Sequence, residues 1–349
     1  MNKLINTAIL SYGMSGEIFH APLLAAHSGF ELHTILQRKS THATSRYPGV
    51  SIVDSIEKVI ENKAIELVVI NTPNETHFEF TTRALEAGKH VVVEKPFTVS
   101  SNEASKLIAL ANKVNRVITV FQNRRWDGDF LTLQQVVKEG LVGKLAELET
   151  HYDRYRNYVE ENTWKEEAKP GVGILYNLGS HMLDQVLVLF GPPDEVDARM
   201  GIHRPQGKVE DYYDIRLQYK DFQVIVKSSY LVRELGPRYV LHGIDGSFIK
   251  YGIDLQEQHL KESKIPGKLR WGQEPKEYFG KINTTIKGLH VEGTVETLPG
   301  NYLLFYQNVY EAIREGKPLT VTNEQSVKLI QLIEACQESN RLHSAVRFK

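Results

Sequence analysis

Leu4-Ile5-Asn6-Thr7-Ala8-Ile9-Leu10 runs directly into Ser11-Tyr12-Gly13-Met14-Ser15-Gly16, a short apolar stretch closed by a glycine-bearing turn. The turn keeps the second and third glycines of the pattern G-x-G-x-x-G and has serine at the first. Gly13 lets a backbone approach a pyrophosphate, Gly16 lets a helix pack closely on a strand, and the helix N-terminus offers N–H donors to the anion. This reading holds only at the head of a series of βαβ units. Four further β-rich runs supply that setting: Phe30 to Leu36, Ile65 to Asn71, Val91 to Glu94 and Val117 to Phe121. Between them, Glu75 to Ala87, stopped by Gly88, and Ser101 to Lys113 carry helix-period apolar residues and are long enough for crossovers. The alternation predicts an α/β, Rossmann-like, doubly wound parallel sheet.

After Phe121 the texture changes. Leu145 to Arg156, Tyr212 to Tyr219 and Phe222 to Leu231 alternate with period 2, as a largely antiparallel sheet with one covered face does. We therefore expect a dinucleotide-binding domain over residues 1–122 and a substrate-binding domain over 123–349. Two last helices, Tyr302 to Glu315 and Asn323 to Ser339, are candidates to pack back on the first domain, and Ala345 to Phe348 is a candidate final strand. Gly280 to Gly300, rich in Gly, Thr and Lys, reads as a mobile loop.

Composition bounds the function. A chain of 349 residues exceeds the usual size of one hydrophobic core, so two domains are the default. With 24% charged residues and a formal net charge of -1, it lacks the basic excess that nucleic acid or an acidic membrane surface would favour. No apolar run reaches membrane-spanning length, and the N-terminus lacks a signal-peptide core. The single cysteine, Cys336, reads as a half-buried apolar residue in a helix, which suits a reducing cytoplasm. No metal is expected.

An NAD-binding domain places a carboxylate about 20 residues beyond the glycine turn to hold the ribose 2′-hydroxyl. None occurs between Glu31 and Asp54; the second strand instead leads into Gln37-Arg38-Lys39-Ser40-Thr41. A basic, hydroxyl-rich cluster suits a 2′-phosphate, so NADP is expected over NAD.

For chemistry, Lys95 in Val93-Glu94-Lys95-Pro96 stands where a parallel strand ends, the edge at which open α/β sheets bind ligands. It can donate to a substrate hydroxyl. Further on, Asn177 and His181 follow the glycine-rich stretch Pro170-Gly171-Val172-Gly173 and share one face if the turn is helical. Oxidising an alcohol needs a base for the hydroxyl proton, and a histidine titrating near neutrality serves both directions.

Taken in order, Ser11 to Gly16, Thr72-Pro73-Asn74, His77, Glu94-Lys95-Pro96 and Gly179-x-His181-x-x-Asp184 resemble the Gfo/Idh/MocA oxidoreductases. Phe19-His20-Ala21-Pro22, Gln122-Asn123-Arg124-Arg125-Trp126-Asp127, Asp153-Arg154-Tyr155-Arg156 and His242-Gly243-x-x-Gly246-Ser247-Phe248 resemble the branch with NADP-dependent scyllo-inositol dehydrogenases. The resemblance implies hydride transfer between NADP(H) and a polyhydroxylated small molecule such as a sugar or inositol. It also implies a C-terminal α/β domain with a large open sheet, through which a homodimer or higher oligomer forms. By position it implies catalytic Lys95, Asn177 and His181, cofactor contacts at Tyr12, Gly13, Met14, Ser15, Gly16, Arg38, Thr72, Pro73, Asn74, His77, Glu94, Lys95, Asn123 and Trp126, and a pocket including Tyr155, Arg156 and Trp164. Asn177 departs from the family's aspartate, since an amide orients a hydroxyl but accepts no proton. That departure motivates the alternative of a catalytically weak, NADP-binding regulator or sensor.

Overall fold

The computed structural model describes residues 3–38 and 42–348. The chain forms two compact units. One holds the sequence to Trp126 with Leu255–Trp271 and Asn301–Ile330; the other holds Asp127–Asp254, Gly272–Gly300 and the residues from Gln331 on.

In the first unit β1 (Ile5–Ile9), β2 (Phe30–Leu36), β3 (Ser51–Val53), β4 (Leu67–Ile70), β5 (His90–Val93) and β6 (Ile118–Val120) form one parallel sheet, ordered β3-β2-β1-β4-β5-β6. Every residue of β4 and Val91, Val92 and Val93 of β5 are fully buried. Covered on both faces, such strands read as continuous apolar runs, which is why the sequence shows them plainly. β3 is the exception: a three-residue edge strand with no buried residue, too short to show a period. Chain order reverses between β1 and β4, so their carboxyl ends open the crevice in which doubly wound folds bind ligands. Ser11–Gly16, Asn71–Asn74 and Glu94–Lys95 all leave the sheet at this edge. The helix Leu303–Glu315 belongs to the same unit and lays Phe305 and Tyr306 against Phe121, and Tyr306 and Tyr310 against Phe30. Arg314 fixes it with two hydrogen bonds to Glu66, each of 2.9 Å.

The second unit is built on β7 (Leu145–His151), β8 (Glu195–Gly201), β9 (Tyr212–Gln218), β10 (Gln223–Ser229), β11 (Tyr239–Gly243), β12 (Gly246–Lys250), β13 (Gly280–Ile286), β14 (Leu289–Val295) and β15 (Val346–Arg347). Their order is β14-β13-β12-β11-β7-β10-β9-β8-β15, and among the described pairs all but β7–β10 are antiparallel. Period-2 burial runs through it: Tyr213, Ile215 and Leu217 of β9 are fully buried while Arg216 and Gln218 are exposed. On the covered face the hydroxyl of Tyr213 donates to Met182 of the helix Ser180–Phe190.

Gly280 to Gly300 is not a mobile loop but contains the β13–β14 hairpin. Lys287 and Gly288 both have positive φ, 51° and 82°, the two-residue hairpin turn whose twist matches the flanking strands. Ile282 and Thr284 of β13 are buried, so the β-branched residues there pack instead of marking a loop. Cys336 is fully rather than half buried, and burial pushes its thiol far up. Among the described residues no helix is long and apolar enough to cross a membrane.

His90 opens β5 with its Nδ1 accepting the amide N–H of Val117 at 3.0 Å, which requires that nitrogen unprotonated. Burial, and then the charge of Arg116, push its imidazole down to about 4. A pKa depressed on folding means that the unfolded chain takes up the proton first as pH falls. Stability should therefore drop between pH 6.5 and pH 4. His90→Gln keeps an acceptor for Val117 and cannot titrate, so urea midpoints across that window should fall less steeply than in the unaltered protein.

Candidate active site

The turn after β1 is shaped by crowding on one side and openness on the other. A Cβ on Gly16 would overlap the carbonyl oxygen of Ser11 and stand 2.9 Å from Nδ2 of Asn71. Asn71, at the end of β4, donates to that carbonyl at 2.8 Å, so a residue the sequence reading passed over braces the turn. Gly13 and Met14 are exposed, and a Cβ on Gly13 would meet only the hydroxyl of Ser11, at 3.5 Å. The amide of Gly13 donates to that hydroxyl at 3.2 Å, so serine at the first glycine position closes the turn with its own side chain. The helix starts with Glu17 N–H to Gly13 O at 2.9 Å, and its first amides have no acceptor within the helix by geometry. An open backbone at a helix N-terminus fits a dinucleotide diphosphate. From Gly16 to His20 the helix is π-helical.

Tyr12 is buried, its ring 5.1 Å from that of His42 and 6.5 Å from that of Tyr47, with Arg46 above Tyr47 at 5.8 Å. Burial raises the Tyr12 phenol and pushes that of Tyr47 up to about 12. Arg38 is exposed two residues beyond β2; Lys39, Ser40 and Thr41 lie outside the described residues. His42 and Arg46 were not singled out in the sequence, because the helix Ala43–Arg46 is four residues long and shows no period.

Thr72-Pro73-Asn74 leave β4 as a turn closed by Thr76, whose hydroxyl bonds that of Thr72 at 2.6 Å and donates to Pro73 O at 2.7 Å. His77 is wholly buried behind it, with Nε2 3.0 Å from Thr72 O and Nδ1 2.9 Å from Pro96 O. Burial lowers its pKa despite both carbonyls, and a neutral ring donates to one of them. It thus links the ends of β4 and β5. At the end of β5, Glu94 Oε1 meets His20 Nε2 at 2.9 Å, and Glu94 Oε2 accepts the amide N–H of Lys95 at 3.0 Å. Burial opposes the charge of Glu94, but the hydrogen bond from His20 and the nearby positive charge of Lys95 hold it below the usual carboxyl range. Asn123 and Trp126 are buried, the latter 5.7 Å from the ring of Phe305, with its carbonyl accepting from Gln256 and Asn301.

The remaining candidates belong to the second unit. Gly173, at φ 103°, turns the chain into a π-helix, Leu175–Gly179, that holds Asn177 half-buried in its middle. His181 follows as the second residue of the helix Ser180–Phe190 and is buried. Asn177 Nδ2 donates to the hydroxyl of Tyr230 at 3.1 Å. Over the ring of Tyr230, at 5.0 Å, lies the guanidinium of Arg204, whose side chain is 1% exposed. Arg204 makes a two-pronged pair with Glu166, at 2.9 and 2.8 Å, and bonds Asp211 at 3.0 Å and Tyr158 O at 2.8 Å. The segment carrying Tyr155, Arg156 and Trp164 is thereby gathered to the residues around Asn177: Arg156 N–H donates to Tyr230 O at 2.7 Å, and Trp164 opens the short helix that ends in Glu166. Tyr155 is 41% exposed beneath the guanidinium of Arg233. Tyr230 and Arg204 were missed in the sequence, where an isolated aromatic and an isolated arginine carry no spacing signal. Lys95 is in the first unit, apart in sequence and unit from Asn177 and His181.

These arrangements have relatives. Residues 5–122 match the Gfo/Idh/MocA description "Oxidoreductase family, NAD-binding Rossmann fold", and residues 134–347 match "Oxidoreductase family, C-terminal alpha/beta domain". The chain is 39% identical over 340 residues to a scyllo-inositol 2-dehydrogenase (NADP(+)) of Bacillus subtilis (strain 168), covering 97% of this chain and 94% of that protein. It is 25% identical over 192 residues to a D-glucoside 3-dehydrogenase of Escherichia coli (strain K12), covering 54% of this chain and 55% of that one. The crystal structure of an oxidoreductase from Bacillus cereus superposes with a TM-score of 0.90 at 32% identity, covering 99% of each chain. With both domains matched and the six-stranded parallel and nine-stranded sheets in place, the chain belongs to the Gfo/Idh/MocA family of NAD(P)-dependent oxidoreductases.

Proposed function

We propose that this protein is an NADP(H)-dependent oxidoreductase that interconverts a secondary hydroxyl and a ketone on a sugar or inositol. The observation that carries this reading is the meeting, on one edge of the parallel sheet, of the open Gly13–Gly16 turn with Lys95. The substrate class is supported by the activities that give the two dehydrogenases above their names. Preference for NADP is supported by exposed Arg38 and by the absence of a carboxylate between Glu31 and Asp54 in the sequence.

When bound, the nicotinamide supplies or accepts the hydride. The turn's amides would hold the diphosphate, Arg38 would pair with the 2′-phosphate, and Thr72, Pro73 and Asn74 would border the cofactor. Lys95 and Asn177 orient the substrate hydroxyl, and His181 takes or returns its proton. Asn177 cannot share that proton, so the full burden of acid–base work falls on His181. A second copy covering the open sheet face is the expected oligomer, and the cytoplasm, where the lone thiol Cys336 stays reduced, the expected setting.

Purified protein should consume NADPH with one stereochemical class among keto-inositols and keto-sugars, followed by nicotinamide absorbance. Tight NADPH binding with no turnover across the panel would favour the sensor reading that Asn177 motivates. His181→Ala should lower kcat by about 10²- to 10⁴-fold with NADPH affinity nearly intact, and unchanged turnover would remove His181 from the role. Arg38→Ala should weaken NADPH binding roughly tenfold or more while leaving NADH nearly unaffected. Tighter binding of NADH than NADPH by the unaltered protein would overturn the cofactor assignment.

A further inference from the structure

We infer that Tyr306 and His20 are positioning residues for Lys95, acting through Glu94 to tie the cofactor turn to the end of β5. The inference deepens the function proposed above and rests on the role given there to Lys95.

His20 is the last residue of the π-helix that begins at Gly16, and it is wholly buried. Both ring nitrogens are engaged: Nε2 with Glu94 Oε1 at 2.9 Å and Nδ1 with the hydroxyl of Tyr306 at 2.7 Å. An ionised carboxylate only accepts, so Nε2 carries the proton; a neutral ring then accepts at Nδ1 from Tyr306. The phenol remains a donor, because burial raises its pKa well above 10. The ring of Phe121, at 4.4 Å, closes the space beside the imidazole. The other oxygen of Glu94 takes the amide of Lys95 at 3.0 Å. One row of directed bonds therefore runs from Tyr306 through His20 and Glu94 to the peptide bearing Lys95.

Burying a histidine, a tyrosine hydroxyl and a carboxylate together costs desolvation that an apolar cluster would not incur. What the polar set adds is direction. Apolar packing leaves a glutamate side chain several rotamers, whereas two bonds to its carboxylate leave one and fix the backbone of Lys95 with it. Since His20 is counted from Gly16, the seat of the diphosphate and the placement of Lys95 are mechanically one unit.

Tyr306→Phe keeps the ring packed against Phe30 and Phe121 and removes only the hydroxyl. With full-length protein, kcat should fall about tenfold or more while KM for NADPH stays within about twofold, the signature of a misplaced group. Independently of turnover, reductive methylation of Lys95 in cofactor-free protein, read by peptide mass spectrometry, should change severalfold against exposed Lys106. His20→Gln, whose amide nitrogen stands near the place of Nε2, should retain more activity than His20→Ala. If Lys95 in Tyr306→Phe is modified at its original rate, or if Lys95 and Lys106 change together as general loosening would make them, the positioning role is wrong. Should the unaltered protein turn over nothing, the function proposed above falls, and the labelling comparison alone then decides the role of Tyr306 and His20.

Discussion

The contact between Gly16 and the carbonyl of Ser11 is the constraint on which the first unit's site depends. No side chain fits there, and Asn71 donates to the same carbonyl from the neighbouring strand. A heavier residue would push the helix away from β1, and everything counted along that helix would move with it. The open amides of the turn and the inward aim of His20 thus share one origin. Serine at position 11 is compatible with this because its hydroxyl turns back to the amide of Gly13.

Both candidate sites are carried by π-helical turns, Gly16–His20 and Leu175–Gly179. An extra residue per turn is unfavourable in an ordinary helix and recurs where a side chain must be re-aimed. In each case the re-aimed polar group is bound by a buried tyrosine's hydroxyl, His20 by Tyr306 and Asn177 by Tyr230. Phenols suit this task. Their rings contribute apolar burial while a single O–H sets direction at low entropic cost.

How much was legible follows from the physics of each feature. Runs buried on both faces, such as β4 and β5, announce themselves, and so does a glycine turn at the head of them. β3 is too short for periodicity, and Gly280 to Gly300 misled because turn-forming residues also occur in a tight hairpin whose inward Ile282 and Thr284 are only two signals. The π-helical turns are invisible to a pattern built on 3.6 residues, since one inserted residue merely shifts its phase. Least legible was the partition of the chain: nothing in the composition of Leu255–Trp271 tells that it joins the first unit, where Gln256 bonds the carbonyl of Trp126. Lys95 and His181 were singled out by position and chemistry, whereas Asn71, Tyr306, Tyr230 and Arg204 make their contacts with partners distant in sequence.

The surroundings of Asn177 supply a physical reason for an uncharged amide at this position. Tyr230, its partner, stacks under Arg204, and that guanidinium already faces two carboxylates, Glu166 and Asp211. Arg204 and Asp211 are almost wholly buried, so their charges are poorly screened by solvent. Arg156 also lies over the Tyr230 ring, at 6.0 Å, so two arginines and two carboxylates balance before position 177 is counted. A carboxylate beside Tyr230 would add an unbalanced negative charge at low dielectric, whereas an amide bonds the same hydroxyl without adding charge. The uncharged amide at 177 thus leaves intact the charge balance of the clamp that gathers Tyr155, Arg156 and Trp164.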